Sequence, residues 1–346
     1  MSKTYETREE VEKLSEKDPQ LYGLLTRAQF TALNMADFVA NQPPIPTLLD
    51  TANEYNFTIP MRDGHLSTAR VFLPSTPATN TPLIVLLFGG GWVAGNYLQA
   101  LAEARTFRDV FNVAAITISY RLAPEHTFPV AHHDAWDNVH WLSQHAGEKF
   151  GIDLNAGFII GGTSAGGNLT ANVVQKAVHE GLTPKITGAL LLQPWVLEPE
   201  IVPEKYKELF IARVQNADQI TFSEECAQYV RDKYQFDVKS PEFSPFNTQN
   251  PHKGFPKTFI EVCGADLLRD DGLVYEKVLR ENGVETKLSV IPGVPHVHQT
   301  FSAFGEQLDC VDKTRIAEAE GVAWLLGKEA PDSKELLKKW VANATP

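Results

Sequence analysis

Ser164 is the residue of this sequence best placed to act as a nucleophile. It lies in the turn 162–166, which reads Gly-Thr-Ser-Ala-Gly, after the apolar run 158–161 and before a helical pattern. A serine on a sharp strand-to-helix turn projects from the end of a sheet, and the free N–H groups of the following helix can stabilise an oxyanion there. The alternative is a glycine-rich turn with an incidental serine. The strand before the turn and the helix after it favour catalysis.

A run of three glycines at 89–91 follows the strongest apolar run and lies between Phe88 and Trp92. Glycines after a buried strand let backbone N–H groups approach a ligand closely, as an oxyanion hole requires. A phosphate-binding turn is the alternative. Position 94 is alanine where the dinucleotide pattern needs glycine, and the P-loop lysine is missing. The run therefore indicates an oxyanion-binding turn.

A nucleophilic serine needs a general base and a group that orients this base. Asp266 follows the apolar run 258–263, and His296 follows the run 287–291. Both come at the carboxyl ends of expected strands, where open parallel sheets place their sites. We expect Asp266 to orient His296, with His298 as the second choice for the base.

The histidines also raise the possibility of a metal site. His296 and His298 form a His-x-His pair, but the sequence brings no third ligand near them. His132, His133 and Asp134 fall in a helical pattern, which indicates a solvated or internally satisfied group. We therefore expect no metal and no cofactor.

The elements that must position these residues alternate between apolar strands and amphipathic helices. Strands are expected at 54–60, 69–73, 83–88, 114–119, 158–161, 188–193, 258–263 and 287–291. Helices are expected at 100–111, 129–147, 165–181, 271–282 and 313–326, with one more beyond 331. This alternation predicts an α/β fold with a parallel sheet between helices, and the more polar first two strands predict an antiparallel edge.

Two segments lack this rhythm. Residues 1–50 are mostly helical without a strand, and residues 198–250 are polar and proline-punctuated, with a helical stretch at 223–233. We expect a single domain over residues 1–346, with a helical cap formed by about 1–50 and 198–250.

Composition excludes several classes of protein. The 346 residues are 43% hydrophobic and 21% charged, as in soluble globular proteins. A net charge of −12 without a basic cluster argues against nucleic acid as a partner. Three cysteines without a Cys-x-x-Cys pair form neither a disulfide framework nor a zinc ribbon. A polar N-terminus and the lack of a long apolar run predict no secretion signal, no membrane span and a cytoplasmic location.

Together these motifs resemble the hormone-sensitive-lipase-like branch of the α/β-hydrolases, which includes bacterial and fungal carboxylesterases. The similarity spans about residues 82–301. The matching segments are Phe-Gly-Gly-Gly-Trp at 88–92, Ser-Tyr-Arg-Leu-Ala-Pro-Glu at 119–125, Phe128-Pro129, Asp134, Gly-Thr-Ser-Ala-Gly-Gly-Asn at 162–168, Asp266-x-x-Arg-Asp270 and Pro295-His296. The chain order Ser, Asp, His is also that of this fold.

The resemblance implies an α/β-hydrolase fold with a mostly parallel eight-stranded sheet, flanked by helices and covered by a helical cap. It implies Ser164 as nucleophile, Asp266 as acid and His296 as base, with oxyanion N–H groups from Gly90, Gly91 and Ala165. Asp270 matches a family acid that supports the loop, and Asp270 and Asp271 are second choices for the triad acid.

The chain departs from the family pattern at two positions. Phe88 stands where the family usually has histidine, and Thr163 where it often has aspartate. The backbone donors depend on neither side chain, but the family histidine ties the glycine loop by hydrogen bonds. We therefore expect Phe88 to reshape that loop or to make the mouth of the site more apolar. Plant gibberellin receptors resemble this family but have lost the base, so the presence of His296 argues for an enzyme.

The function expected from the sequence is a carboxylesterase acting on a small-molecule ester of small or medium apolar character. Four apolar residues near the expected mouth motivate this substrate class, with plain core packing as the alternative: Phe88, Trp92, Trp195 and Val297. Two other functions stay open, a tailoring deacetylase or lactonase for one specialised metabolite and a non-catalytic receptor on the same fold. The sequence also leaves a homodimer open.

Overall fold

One eight-stranded sheet forms the centre of the protein. The computed structural model describes residues 4–28, 31–76, 78–305 and 307–344. The strands are β1 (Glu54–Pro60), β2 (Leu66–Phe72), β3 (Leu83–Leu87), β4 (Ala114–Ile118), β5 (Phe158–Thr163), β6 (Gly188–Leu192), β7 (Lys257–Cys263) and β8 (Thr286–Ile291). Their order across the sheet is β1-β2-β4-β3-β5-β6-β7-β8. The predicted eight-stranded sheet is confirmed.

Strands β3 to β8 run parallel to one another, whereas β2 is antiparallel to both β1 and β4. The antiparallel edge is therefore as predicted. Strand β2 begins three residues earlier than expected, because Leu66 pairs with Pro60 across a tight turn. The sequence did not predict this earlier start, because Ser67 and Thr68 are polar and the apolar pattern begins only at Ala69.

Helices cover both faces of this sheet. They are α1 (Arg8–Lys13), α2 (Pro19–Arg27), α3 (Met35–Ala40), α4 (Leu101–Phe111), α5 (Val130–Phe150), α6 (Ala165–Glu180), α7 (Ala212–Gln215), α8 (Glu224–Tyr234), α9 (Arg269–Glu281), α10 (Asp309–Leu326) and α11 (Ser333–Asn343). Helix α10 begins four residues before the predicted start, where Asp309 and Asp312 in its first turn complement the helix dipole. None of the helices in the described ranges is long and apolar enough to cross a membrane.

Alternate residues of the central strands feed two apolar cores. Val85 and Ile160 belong to the core shared with α5, α6 and α9, whereas Ile84 and Ile159 belong to the core shared with α4, α10 and α11. This two-sided burial explains why these strands read as continuous aliphatic runs.

The two segments without strand rhythm contact one another. Within their described residues neither 4–50 nor 198–250 contains a strand. The Leu33 N–H donates to the Ile220 carbonyl at 2.8 Å, and the Cys226 thiol donates to the Leu33 carbonyl at 3.3 Å. All three cysteines are buried and unpaired.

Candidate active site

Ser164 lies between β5 and α6 in a strained backbone conformation. Its φ of 58° and ψ of −119° fall where residues with a side chain are rare. A Cβ at Gly162 would come within 2.4 Å of the Gly166 carbonyl, and one at Gly166 within 2.3 Å of the Leu87 carbonyl. Glycine is therefore required at both positions, and the tight crossing of strand and helix holds the serine at the sheet end. Thr163 continues β5 opposite Leu192, two residues beyond the predicted strand end.

His296 and Asp266 form a hydrogen-bonded chain with Ser164. The His296 Nε2 lies 2.8 Å from Ser164 Oγ, and its Nδ1 lies 2.7 Å from Asp266 Oδ2. The His296 Nδ1–H donates to the Asp266 carboxylate. The Nε2 atom is then unprotonated, and its lone pair can take the serine proton. The exposed fractions of Ser164, His296 and Asp266 are 5%, 3% and 0%, so these three hydrogen-bonded side chains are shielded from water. The arrangement can generate a nucleophilic alkoxide.

Asp266 is held by its own loop. Its second oxygen, Oδ1, accepts the Leu268 N–H at 2.8 Å, and its carbonyl accepts the Asn216 side-chain amide at 2.8 Å. Each oxygen of this buried carboxylate has a donor, as a buried charge requires. The histidine therefore meets a carboxylate whose orientation is already fixed.

The glycine run lies directly against Ser164. A Cβ at Gly89 would lie 3.3 Å from Ser164 Cβ, and Gly90 and Gly91 have φ values of 121° and 61°. The N–H groups of Gly90 and Gly91 have no hydrogen-bond partner within the described part of the chain. Ala165, the first residue of α6, belongs to the helix turn whose N–H groups lack an intrahelical acceptor. These three groups can serve as oxyanion donors.

Phe88 anchors the glycine loop through packing. Its ring stacks on Tyr120 at a centroid distance of 4.0 Å and an angle of 6°. The Tyr120 hydroxyl donates to the Phe88 carbonyl at 2.8 Å, and burial raises the pKa of this hydroxyl well above its usual value. An aromatic stack and one hydrogen bond to the backbone therefore hold the loop where the family uses a histidine.

The expected pocket residues lie mainly in the core. Phe88 is 3% exposed, and Trp92 and Trp195 are 0% exposed, with their indole rings 5.4 Å apart. Trp92 also stacks on Tyr234 of α8 at 4.9 Å. The burial of all three rings favours the core interpretation, and α8 covers Trp92 and Trp195 through Tyr234 and Arg231. Val297 is half-buried next to His296.

The second choices for acid and base face other partners. Asp270 Oδ2 accepts the N–H groups of Ile211 and Ala212, both at 2.6 Å, and its other oxygen accepts from Arg269. Asp271 accepts the N–H groups of Val196 and Leu197 and contacts Arg213 at 3.1 Å. Both acids hold the residues 196–212 against the sheet, as the resemblance implied for Asp270.

His298 points away from Ser164. It is fully buried and bonds Thr314 Oγ1 at 2.9 Å and Cys263 Sγ at 3.4 Å, and burial lowers its pKa to about 4. The second choice for the base is therefore wrong. In the described residues no group of three or more His, Cys, Asp or Glu side chains is arranged to hold a metal ion.

Three polar residues on α5, α6 and α8 form a hydrogen-bond network that the sequence did not predict. His132 Nε2–H donates to Asn168 Oδ1, and the Tyr234 hydroxyl donates to His132 Nδ1, both at 2.8 Å. Burial lowers the His132 pKa to about 3, so the ring is neutral. His133 instead pairs with Glu242 at a half-exposed position. Pairing of His132 with α6 and α8 depends on packing that the local sequence does not encode.

Two further residues, one in contact with His296 and one bonded to the residue after it, were not predicted. The Phe222 ring lies 5.2 Å from the His296 ring, and Gln193 Oε1 accepts the Val297 N–H at 2.8 Å. Phe222 lies in the polar 198–250 segment, and Gln193 directly follows β6. The only sequence signal for Gln193 was its position at the carboxyl end of an apolar strand.

The sheet order, the serine turn and the three-residue hydrogen-bonded chain define an α/β-hydrolase. A family model described as the alpha/beta hydrolase fold matches residues 84–300, and the chain belongs to this family. An α/β-hydrolase superfamily protein of Schizosaccharomyces pombe (strain 972 / ATCC 24843) is 31% identical over 327 residues, covering 91% of this chain and 95% of that protein.

Two other relatives carry more specific names. A versiconal hemiacetal acetate esterase of Dothistroma septosporum (strain NZE10 / CBS 128990) is 29% identical over 249 residues, covering 71% of this chain and 74% of that protein. The solved structure of vibralactone cyclase superposes with a TM-score of 0.82 at 28% identity, covering 94% of this chain and 98% of the cyclase.

Proposed function

We propose that this protein is a carboxylic ester hydrolase that forms an acyl-enzyme on Ser164. The observation that carries the proposal is the buried chain from Ser164 through His296 to Asp266, with distances of 2.8 and 2.7 Å. A serine, a base and an orienting acid in this geometry are the parts that acyl transfer needs. The esterase named among the relatives supports the same chemistry.

In the first step His296 Nε2 takes the Ser164 proton while Oγ attacks the ester carbonyl. The negative oxygen of the tetrahedral intermediate accepts from the N–H groups of Gly90, Gly91 and Ala165, and losing one such donor costs about 3 kcal/mol in the transition state. Protonated His296 then gives its proton to the leaving alkoxide. Water, deprotonated by the same nitrogen, releases the acid and restores the serine.

In this proposal the described residues of 4–50 and those of 198–250 form a helical cap over this site. Phe222 of the second segment lies against His296, and a Cβ at Gly91 would meet Val230 of α8 at 2.6 Å. An ester that reaches Ser164 therefore meets apolar walls from this segment. These contacts favour a small or medium apolar ester as substrate.

A second candidate is a tailoring hydrolase that acts on an ester or lactone of one specialised metabolite. Two of the proteins similar to this chain are named for single compounds, versiconal hemiacetal acetate and vibralactone. Slow turnover of generic esters beside fast turnover of one complex ester distinguishes this candidate from a general carboxylesterase.

The test is Ser164→Ala, assayed on p-nitrophenyl esters of increasing acyl length and with a fluorophosphonate probe. We expect the variant to lose activity by at least about 10⁴-fold and to lose labelling, because the nucleophile is gone. Ser143→Ala is the matched control, since Ser143 lies in α5 and its hydroxyl donates to the His140 carbonyl of its own helix. Ester hydrolysis that survives in Ser164→Ala contradicts the proposal, and a wild-type protein that the probe does not label indicates a receptor.

A further inference from the structure

We infer that Gln193 is a positioning residue for the base His296, an inference that rests on the proposed function. Gln193 holds the backbone directly after His296 through its side-chain amide. Gln193 directly follows β6, and β6 lies beside β5, the strand that leads to Ser164. One side chain therefore connects the loop of the base to the part of the sheet that positions the serine.

Gln193 is fixed on the sheet before it reaches the histidine loop. It directly follows β6, whose last residue, Leu192, accepts the Ser164 N–H at 2.8 Å. Its own N–H donates to the Glu261 carbonyl on β7 at 2.8 Å, and it is 1% exposed. The backbone φ of Gln193 is 49°, which sets its side chain off the strand direction and toward the loop after β8. A polar side chain in this position is therefore part of the rigid sheet end.

The residue that Gln193 holds is strained. Val297 has φ 46° and ψ 37°, a conformation that a β-branched residue rarely adopts. Its carbonyl accepts from Thr300, an exposed residue of the same loop, while its N–H donates to Gln193 Oε1 at 2.8 Å. Before the histidine, the loop is tied at Gly293, whose N–H donates to Leu14, and at Val294, whose carbonyl accepts from Ala265. Gln193 thus bonds the backbone directly after His296, and the next bond from this loop to the sheet comes one residue later, between His298 and Cys263 Sγ of β7.

Glu261 sets the orientation of the amide. Its Oε1 lies 3.5 Å from Gln193 Nε2, so the NH₂ end of the amide faces the carboxyl group and the oxygen faces Val297. Glu261 is fully buried, and burial raises its pKa to about 8. A neutral carboxylic acid therefore lies beside the amide at pH 7.

Without the hydrogen bond from the Val297 N–H to Gln193, the strained Val297 backbone can relax, and His296 can shift as a result. A displacement of about 1 Å at a reacting group costs on the order of 10²-fold in rate. Gln193 does not touch Ser164 or the glycine loop by hydrogen bonds. The loss should therefore fall on kcat and not on KM.

Gln175 offers a matched control elsewhere in the fold. It is a buried glutamine of α6 whose Oε1 accepts the His252 N–H at 2.7 Å, and His252 has a φ of 69°. The same bond to a strained residue exists there with no triad member beside it. Gln175→Met reports the structural cost of losing such a bond, and Gln193→Met reports that cost together with any effect on the base.

The experiment measures kcat and KM on p-nitrophenyl acetate, the rate of fluorophosphonate labelling and the melting temperature of the full chain at pH 7. We expect Gln193→Met to lower both kcat and the labelling rate by about 10- to 100-fold with KM within about twofold. Gln175→Met should keep both rates within about twofold while its melting temperature falls. Gln193→Glu should recover most of the rate, because it keeps an acceptor for the Val297 N–H and neutral Glu261 can donate to it.

Equal rates in Gln193→Met and Gln175→Met overturn the inference, and so does Gln193→Glu performing no better than Gln193→Met. If Gln193→Met does not fold, Gln193→Asn, whose amide is one methylene too short, takes its place. Labelling of that variant at the wild-type rate also overturns the inference. Absence of labelling in the wild type refutes the proposed function itself and the inference with it, whereas normal wild-type labelling with unaffected Gln193 variants refutes the inference alone.

Discussion

Two buried polar clusters lie on opposite faces of the sheet and differ in how their polar atoms are satisfied. The histidine cluster consists of His132, Asn168 and Tyr234. The glutamate cluster consists of Glu103, Glu261 and Glu318, on α4, β7 and α10. Glu261 lies two residues from Phe259, which packs against Gly321 of α10, so it faces that helix.

The two clusters differ in how many of their polar atoms have a hydrogen-bond partner. In the histidine cluster both ring nitrogens of His132 are bonded, and the Asn168 amide donates to the carbonyls of Trp195 and Phe243 at 2.7 and 2.8 Å. In the glutamate cluster each carboxyl group has one buried oxygen without a partner in the described part of the chain. Burial raises the pKa of all three glutamates, that of Glu261 to about 8, so Glu261 keeps its proton at neutral pH.

The difference indicates where the protein needs fixed geometry. The histidine cluster joins α6 to α8 through His132 and Tyr234, and a fully bonded network has one arrangement. The glutamate cluster contacts Gln193 through Glu261, and its unbonded oxygens cost stability. One cluster should therefore stabilise the fold, and the other should weaken it.

The largest expected effect is on the histidine cluster. We expect His132→Leu to lower the free energy of unfolding by about 2–4 kcal/mol at pH 7, because Tyr234 and Asn168 each lose a buried partner. Urea denaturation followed by circular dichroism measures it. His133→Leu is the control, since its half-exposed pair with Glu242 is worth less than about 1 kcal/mol. Equal losses in the two variants would remove the distinction between a satisfied core network and a surface pair.

The next effect has the opposite sign. We expect Glu318→Leu to raise the free energy of unfolding at pH 8 by about 1–3 kcal/mol, because a buried carboxyl group with one unbonded oxygen is replaced by an apolar side chain. The same denaturation assay detects this change. Glu320→Leu, a half-buried position of the same helix paired with Lys287, should stay within about 0.5 kcal/mol. A destabilised Glu318→Leu would show that the glutamates are bonded to one another or to water.

The smallest effect is a pH dependence. Glu261 titrates near 4.5 in the unfolded chain and at a pKa of about 8 in the folded protein, so between these values only the folded state keeps the proton. The stabilisation is complete below the lower value and is lost as the pH rises toward 8. From pH 6.5 to 8 we expect Glu261→Gln to lose about 1–2 kcal/mol less stability than the wild type.

Urea denaturation at three pH values checks this slope. Glu276→Gln is the control, because this buried glutamate accepts from Thr286 and Arg280 and lies outside the cluster. His132, with a pKa of about 3, changes its charge only in acid and leaves this pH range untouched. Parallel pH curves for the wild type and Glu261→Gln would show that Glu261 is ionised throughout.

The sequence predicted the three central residues of the site better than the residues packed around them. Ser164, Asp266 and His296 could be grouped because each follows a strand whose parallel neighbours end at the same edge. Trp92 and Trp195 were expected near the mouth as one of two interpretations, since their burial depends on how α8 packs. Gln193 was missed because its partner Val297 lies 104 positions away and the bond depends on the conformation of a loop.

The contact between Gly91 and Val230 has a consequence for how this protein can acquire new substrates. Val230 belongs to α8, and its methyl groups occupy the space that a side chain on Gly91 would need. A bulkier residue at position 230 would press directly on backbone that can bind the oxyanion. Variation of α8 at position 230 is therefore coupled to the geometry of the glycine loop. Directed evolution of selectivity would best leave position 230 fixed and diversify positions of α8 that face away from the glycine loop.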